Sequence, residues 1–257
     1  MKISIITINL NNRTGLEKTI SSVFAQTYTD VEFIVIDGGS SDGSLELISQ
    51  WSDRIAHWVS EKDKGVYDAM NKGIKHANGA YLLFLNSGDF FVNANILKSF
   101  IDGMKHKADL VYGNLYVKSH EGLRVVVFPN QLRFSFVVQH SLPHPATLIK
   151  RSLFDAVGYY DANLKICSDW KFFMLALFQH NATYEHVDLI VAEYNFDGIS
   201  SPPKNMPVIL AEKDKVMRDF FAPFSEDYED LEKFRNVYNY YKESRRIKLL
   251  RTLRILR

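Results

Sequence analysis

The sequence lacks several features that would place it outside ordinary globular proteins. Its one cysteine, Cys167, cannot form an intramolecular disulfide, which fits a reducing, cytoplasmic compartment. No segment approaches the roughly 20 apolar residues that a membrane-spanning helix needs. The formal net charge is only +1, so the overall charge does not favour nucleic acid as a partner. We therefore expect a cytoplasmic protein with a core of its own.

Strand and helix patterns alternate through the first half of the chain. Apolar runs typical of buried strands cover Lys2–Ile8, Val31–Ile36 and Ala80–Leu85. Segments with helical spacing lie between them, and the clearest runs from Val66 to His76. This alternation predicts an α/β fold with a mostly parallel central sheet flanked by helices.

The pattern changes after Asp109. Three short segments look like antiparallel strands: Leu110–Tyr112, Leu115–Lys118 and Arg124–Phe128. The stretch Pro129–Pro145 is predicted to be irregular, and Asp169–His180 regains helical spacing. After a proline-rich break the chain again looks helical. We predict an α/β domain over residues 1–204 and a helical C-terminal extension over residues 205–257.

A first polar cluster, Asp37–Ser44, follows the second predicted strand. Ligands bind at the carboxyl ends of strands in open parallel sheets. Glycines such as Gly39 let the backbone approach a ligand, and Asp37 can accept hydrogen bonds from a base or ribose. A plain turn with a capping Asp explains the same residues equally well. The dinucleotide-binding fingerprint G-x-G-x-x-G is absent.

A second cluster, Glu61–Gly73, is dense in charge before and inside a predicted helix. On that helix Asp68, Asn71 and Lys72 share one face, which could point at a sugar or a phosphate. The alternative is a solvated helix face, which is the usual meaning of a charge run.

A third cluster, Asn86-Ser87-Gly88-Asp89, directly follows the most apolar strand. A carboxylate at this point can hold Mg²⁺ or Mn²⁺, which commonly take one or two carboxylates together with substrate oxygens. A turn that ends the strand is the alternative.

Two later residues stand apart from these clusters. His144 lies between Pro143 and Pro145, where a lone histidine is more often structural or simply exposed. Asp169 opens a predicted helix, and a helix-capping role is the common explanation for an Asp in that place.

Together, the order and spacing of these clusters resemble family 2 of the inverting nucleotide-sugar glycosyltransferases, which have the Rossmann-like GT-A fold. The resemblance runs from Ile3 to about Ser200. It is carried by the Asp-rich Gly-Ser turn at Asp37–Gly43, by the strand before the third cluster, and by Asp169-Trp170. The stretch Gly65–Gly73, with Asn86–Asp89, looks like a subset that builds bacterial exopolysaccharide or O-antigen.

The resemblance implies a role for several of these residues. Asp37 would contact the nucleobase, Asp89 the metal, and Asp169 would be the general base. Asn86 and Gly88 replace the two usual aspartates of the Asp-x-Asp motif, so Mn²⁺ or Mg²⁺ is expected on an altered site. The further expected contacts are Gly39, Asp68, Asn71, Lys72, Asn86 and Ser87 with the donor, and His144 with the acceptor.

The predicted reaction moves one sugar, a hexose or N-acetylhexosamine, from a nucleotide-diphosphate sugar to a hydroxyl of a glycan or lipid-linked acceptor in surface polysaccharide synthesis. UDP is expected by family frequency, with GDP and dTDP open. The Gln-x-x-Arg-Trp motif is absent, which predicts non-processive transfer.

Two alternatives stay open. A sugar nucleotidyltransferase normally has a Gly-rich loop with a basic residue after its first strand, whereas this loop reads Asn9-Leu10-Asn11-Asn12-Arg13. A non-catalytic nucleotide-sugar-binding protein would not need Asp169. A glycoside hydrolase is disfavoured, because it uses a carboxylate pair rather than a diphosphate site.

The C-terminal residues 245–257 contain six basic residues and no acid. On a helix, Leu249, Leu250, Leu253 and Leu256 would form an apolar stripe. This pattern predicts an interfacial helix, so that the protein would be peripheral at the inner face of the cell membrane. The alternative is a helix that docks on its own domain or on a partner chain. Its basic residues could then pair with acids upstream: Glu226, Asp227, Glu229, Asp230 and Glu232.

Overall fold

The computed structural model describes residues 1–119, 122–195, 203–244 and 247. It separates into two units, residues 1–212 and residues 213–257. The predicted boundary at residue 204 falls inside a short 3₁₀ helix, Pro203–Asn205, and it stays a prediction.

Four parallel strands form one half of the sheet, in the order β3-β2-β1-β4. The strands are β1 (Ile3–Asn9), β2 (Val31–Asp37), β3 (His57–Ser60) and β4 (Tyr81–Phe84). The intervening helices are α1 (Arg13–Phe24), α2 (Ser44–Gln50) and α3 (Val66–His76). Strands of a parallel sheet are covered on both faces, which explains why β1 and β2 are near-continuous apolar runs. The strand–helix alternation read from the first half of the sequence is confirmed.

The second half of the first unit extends the sheet with mixed pairing. Its strands are β5 (Phe90–Phe91), β6 (Leu110–Ser119), β7 (Gly122–Val126), β8 (Thr147–Lys150) and β9 (Tyr184–Asn195). Its helices are α4 (Ile96–Asp102), α5 (Phe134–Gln139), α6 (Ser152–Val157) and α7 (Ser168–Phe178). Strand β8 is antiparallel to β4 and β6, whereas β6 runs parallel to β9. The predicted α/β class is confirmed, with a sheet that is parallel in its first half and mixed beyond β4.

The strand predictions after Asp109 need correction. Residues 110–119 form one strand rather than two short ones, because a register shift between Tyr112 and Leu115 absorbs the Gly113-Asn114 pair that looked like a turn. A Cβ at Gly113 would come within 2.6 Å of the Val191 side chain, so glycine permits the close approach of β9. The stretch predicted to be irregular contains α5.

The last described helix, α8 (Met206–Glu243), bends near its middle. Phe221 has non-helical dihedrals, φ −131° and ψ 23°, two residues before Pro223. Proline removes a helical hydrogen bond and clashes with the preceding turn, which explains the bend. Within residues 245–257 the structure describes only Ile247. The prediction that this segment forms an interfacial membrane helix is therefore not tested. Among the described residues no helix is long and apolar enough to cross a membrane.

Candidate functional site

A cleft of about 1030 Å³ opens where β1, β2 and β4 end. The first unit supplies all of its lining residues. Each of the three strands contributes the residues that follow it: Asn9 and Leu10 after β1, Gly38 and Gly39 after β2, and Asn86 and Ser87 after β4. The segment 62–67 and residues near Leu164 close the other side. Three of the predicted donor-binding residues, Gly39, Asn86 and Ser87, therefore lie together on the wall of one cleft.

Asp37 lies beneath this wall, fully buried. Its Oδ1 accepts hydrogen bonds from Asn9 Nδ2 at 2.7 Å and from the Ser40 hydroxyl at 2.6 Å. Its Oδ2 accepts from the Ser60 hydroxyl at 2.6 Å and from the backbone N–H groups of Gly39 and Ser40. Burial would raise the pKa of Asp37, but the hydrogen bonds from Ser40 and Ser60 outweigh it and lower the pKa.

The side chain of Asp37 thus shapes the turn that lines the cleft. Gly39 has a φ of +80°, in the left-handed region that glycine adopts without strain, and the turn brings its backbone to the cleft wall. Asn9 stands beside it, and its amide oxygen is buried without a hydrogen-bond partner among the described residues. Direct contact of Asp37 with a nucleobase stays a prediction.

The third cluster turns back sharply after β4. Gly88 has a φ of +106°, and this turn carries Asn86 and Ser87 onto the cleft wall, whereas Asp89 is buried and bonded to Asn195, which also lines the cleft. Asn12, the N-cap of α1, holds the turn by donating to the Ser87 carbonyl at 2.9 Å. A helix cap and the third cluster are therefore physically linked.

Asp89 is a buried carboxylate whose Oδ1 accepts a hydrogen bond from the backbone N–H of Asn195 at 3.1 Å. Burial raises its pKa to about 7, and the backbone hydrogen bonds offset only part of this. A protonated form is therefore populated near neutral pH, unlike that of an ordinary surface aspartate.

The oxygen atoms present fit a divalent cation in chemical type. The Asn86 amide oxygen is buried and has no hydrogen-bond partner among the described residues, and Asp89 supplies one carboxylate. Mg²⁺ and Mn²⁺ prefer oxygen ligands and usually complete their shell with water and substrate phosphate. Among the described residues no group of three His, Cys, Asp or Glu side chains forms a fuller site.

The charges of the second cluster largely engage one another. Lys72 Nζ lies 2.6 Å from Asp63, 2.7 Å from Glu61 and 3.9 Å from Asp68. Burial opposes the charge of Lys72, but the hydrogen bonds that its ammonium donates to Asp63 and Glu61 prevail and raise its pKa. Asp68 also accepts from the Lys64 backbone N–H at the start of α3. These residues order the loop that borders the cleft; contact of Asp68 and Lys72 with the donor stays a prediction.

His144 and Asn71 lie against a second group, built around Tyr160. His144 is buried, with Nε2 2.9 Å from the Tyr160 hydroxyl and its ring stacked on Phe84 at 5.0 Å. Burial lowers the pKa of His144, so the neutral imidazole is favoured. Asn71 exchanges two hydrogen bonds with the Tyr160 backbone, at 2.8 and 3.0 Å. Both side chains hold the core together here, and their predicted ligand contacts stay predictions.

Asp169 lies in the first turn of α7, half-buried. Its Oδ1 accepts a 2.8 Å hydrogen bond from the Tyr67 hydroxyl, and Tyr67 lines the cleft. Cys167, rather than Asp169, is the N-cap of α7, and it makes no side-chain capping bond, so capping does not explain Asp169. Asp169 itself is not among the described residues that line the cleft, and its role as general base stays a prediction.

The cleft is also lined by three lysines to which the sequence prediction gave no role: Lys62, Lys64 and Lys165. All three are exposed, and their positive charges suit a diphosphate. Lys62 and Lys64 belong to the second cluster, but the helical spacing in that cluster favoured Asp68, Asn71 and Lys72 as donor contacts. Nothing in the sequence marked Lys165, which reaches the cleft from the loop before α7.

Comparisons with known proteins identify the family and the fold. The family model described as "Glycosyl transferase family 2" matches residues 4–158. An uncharacterized glycosyltransferase of Mycobacterium tuberculosis is 35% identical over 179 residues, which cover 68% of each chain. A PGL/p-HBAD biosynthesis glycosyltransferase of Mycobacterium bovis is 31% identical over 206 residues, covering 77% of this chain and 78% of the relative.

Solved structures share the fold at lower sequence identity. S. aureus TarS 1-349 in complex with UDP-GlcNAc has a TM-score of 0.64 and 21% identity, covering 86% of this chain and 72% of that one. The mannosyltransferase PcManGT from Pyrobaculum calidifontis, in complex with GDP-Man and Mn²⁺, has a TM-score of 0.60 and 14% identity, covering 94% and 81%.

Proposed function

Because the chain belongs to glycosyl transferase family 2 and has its GT-A fold, we propose that it transfers one sugar, with inversion, from a nucleotide-diphosphate sugar to an acceptor hydroxyl. The observation that carries this proposal is the hydrogen bond between Tyr67, on the cleft wall, and the half-buried Asp169. This hydrogen bond holds the Asp169 carboxylate beside a cleft that is large enough for a nucleotide sugar.

The donor would occupy the cleft with its nucleotide over the turn at Gly39. Asn9, whose amide oxygen lacks a partner among the described residues, can accept a hydrogen bond from the base or ribose. The diphosphate would lie near Ser87 and the cleft lysines. We propose a UDP-sugar carrying a hexose or an N-acetylhexosamine, a proposal supported by TarS complexes that hold UDP and UDP-GlcNAc.

Asp169 would act as the general base. The acceptor hydroxyl attacks the anomeric carbon, its proton passes to an Asp169 carboxylate oxygen, and the bond from that carbon to the diphosphate oxygen breaks. A single displacement inverts the anomeric configuration. Lys62, Lys64 and Lys165 would stabilise the negative charge that grows on the leaving nucleoside diphosphate.

A divalent cation, Mn²⁺ or Mg²⁺, would be held by the Asn86 amide oxygen and the Asp89 carboxylate. When bound it would supply further positive charge to the diphosphate. The complex of PcManGT with Mn²⁺ supports cation use within the fold.

The acceptor would be a glycan or lipid-linked sugar, extended by one residue per encounter in surface polysaccharide synthesis. The relative assigned to PGL/p-HBAD biosynthesis is consistent with a biosynthetic role.

Product analysis tests the reaction class. The protein is incubated with UDP-, GDP- and dTDP-sugars and a panel of glycan and lipid-linked acceptors, and nucleoside diphosphate release is compared with glycoside formation. We expect acceptor-dependent release of one nucleoside diphosphate per glycoside of inverted anomeric configuration. Pyrophosphate release from a nucleoside triphosphate and a sugar phosphate would instead identify a nucleotidyltransferase. Tight donor binding without turnover over the whole panel would favour a non-catalytic binding protein.

A further inference from the structure

The loop segment 165–167, which leads into α7, is held by a carboxylate from α8. Oε1 of Glu212 accepts a hydrogen bond from the backbone N–H of Lys165 at 2.6 Å. Its Oε2 accepts from the backbone N–H groups of Ile166 at 3.0 Å and Cys167 at 2.9 Å. Glu212 is the last residue of the first unit, so this contact lies within one unit. One side chain therefore binds three consecutive residues that lie at least 45 positions away in the sequence.

Two further contacts fix the same segment. The Tyr67 hydroxyl, on the cleft wall, donates a hydrogen bond to the carbonyl of Ile166. The Cys167 thiol donates to the Ile209 carbonyl of α8 at 3.7 Å. The start of α8 thus binds the N–H groups of segment 165–167, and the cleft wall binds one of its carbonyls.

Lys165 connects this anchored segment to the cleft. Its side chain is exposed and lines the cleft, while its backbone N–H is bonded to Glu212. A lysine is a flexible point charge, and ordering it around an anion costs conformational entropy. A backbone that is already fixed reduces this cost, because less of the chain must be ordered when the anion binds. Hydrogen bonds from N–H groups to an ionised carboxylate are among the stronger ones, which suits an anchor.

We propose that Glu212 is a positioning residue for the binding of a nucleoside diphosphate. It holds segment 165–167 so that the Lys165 ammonium meets the diphosphate in the cleft. Glu212 itself is not among the described residues that line the cleft, so it acts through Lys165 and not by touching the ligand. This inference rests on the proposed function, because it takes the occupant of the cleft to be a nucleotide-diphosphate sugar.

A double-mutant cycle on the full chain tests this coupling. Calorimetry measures the Kd of UDP, or of GDP or dTDP where one of these binds the wild type more tightly. The proteins compared are the wild type, Glu212→Ala, Lys165→Ala and the double variant. Each single variant should raise the Kd about three- to tenfold. The double variant should match Lys165→Ala, since the position of segment 165–167 no longer matters to the diphosphate once the ammonium is gone.

Glu185 offers a matched control. Its carboxylate likewise accepts backbone N–H hydrogen bonds, from Lys105 at 2.7 Å and from His106 at 3.0 Å. Both glutamates are half-buried, but neither Glu185 nor its two donors is among the described residues that line the cleft. Glu185→Ala should therefore leave the Kd unchanged. Glu212→Gln, which keeps one acceptor oxygen, should restore part of the affinity that Glu212→Ala loses.

Amide hydrogen exchange reports the segment directly and shows whether each variant remains folded. In Glu212→Ala the amides of residues 165–167 should exchange faster, whereas the amides of β1 and β2 should keep their wild-type protection. If Glu212→Ala loses protection throughout the chain, Glu212→Gln takes its place in the cycle.

Three results would overturn the proposal: a wild-type Kd in Glu212→Ala, an equal rise of Kd in Glu185→Ala, or losses of affinity that add in the double variant. In each of these cases the wild type still binds its nucleotide, and the proposed reaction stands. A wild type that binds none of UDP, GDP and dTDP would instead remove the proposed function, and this inference with it.

Discussion

The hydroxyl of Tyr67, on α3, lies 2.8 Å from Oδ1 of Asp169, on α7, and donates a hydrogen bond to it. The same hydroxyl contacts the backbone carbonyl of Ile166, so it is fixed between the cleft wall and the start of α7. Burial and the charge of Asp169 raise the pKa of Tyr67 well above its ordinary value, which keeps the phenol protonated as a donor. Two elements far apart in sequence thereby orient one carboxylate.

Removing the carboxylate should stop the reaction. Asp169→Asn keeps the side-chain shape but loses the basic oxygen, so we expect kcat to fall by about 10²- to 10⁴-fold while the donor Kd is nearly unchanged. Asp155→Asn, an exposed carboxylate on α6, is the matched control and should behave as wild type. Steady-state turnover and donor calorimetry measure both. Turnover of Asp169→Asn within a few-fold of wild type removes this residue from the mechanism.

Removing the orienting hydroxyl should have a smaller effect on the same step. Tyr67→Phe leaves the ring in place but frees Asp169 to rotate, so kcat should fall by about tenfold, equivalent to ~1.4 kcal/mol, with little change in donor KM. Tyr81→Phe removes another buried hydroxyl, which donates to the Ala108 carbonyl, and serves as the control. If the two variants lose kcat equally, the Tyr67 bond contributes only to folding.

Asp89 should make stability depend on pH. Its pKa is raised from 3.8 to about 7 by burial, so the folded state favours the protonated form. The stability associated with that proton is lost as pH rises towards 7. Between pH 5 and 8 the wild type should lose about 2 to 3 kcal/mol more unfolding free energy than Asp89→Asn. Denaturant titrations at both pH values measure this; equal losses would show that Asp89 titrates normally.

The cation prediction rests on the same carboxylate. At pH 8, Mn²⁺ with UDP should raise the Tm of the wild type more than that of Asp89→Asn, because a cation bound to folded protein stabilises it by mass action. Thermal unfolding with UDP alone is the reference for each protein. A Tm increment from Mn²⁺ that is the same in both proteins would exclude Asp89 as a ligand.

Asp37 should affect both the fold and donor affinity. Its pKa is lowered in the folded protein by hydrogen bonds that outweigh burial, so it contributes stability above about pH 4, and this is lost as pH falls through the lowered value. Asp37→Asn should therefore cost about 1 to 3 kcal/mol at pH 7, and the cost should shrink as the pH falls below about 4. Donor KM should rise as the Gly39 turn shifts. Ser60→Ala, which removes one donor to Asp37, should show a smaller change of the same kind.

Local patterns in the sequence accounted for the first half of the fold. A parallel strand that is buried on both faces has a continuous apolar sequence, as β1, β2 and β4 do. The helical spacing of α3 is likewise a property of residues close together in the chain. Polar residues after these strands meet at one edge because parallel strands share a direction, and Gly39, Asn86 and Ser87 do line one cleft.

What only the tertiary structure decided were the features that depend on distant partners. Strand β6 is continuous because β9 packs closely over Gly113, some eighty residues away in the chain. Burial by distant residues raises the pKa of Asp89. Lys72 forms ion pairs with three acids, and its position in the sequence does not fix these pairs. Asp169 acquires its place beside the cleft through Tyr67. Residue type and spacing set which groups could act, but burial and long-range hydrogen bonds, which no local window contains, determined which of them face the cleft.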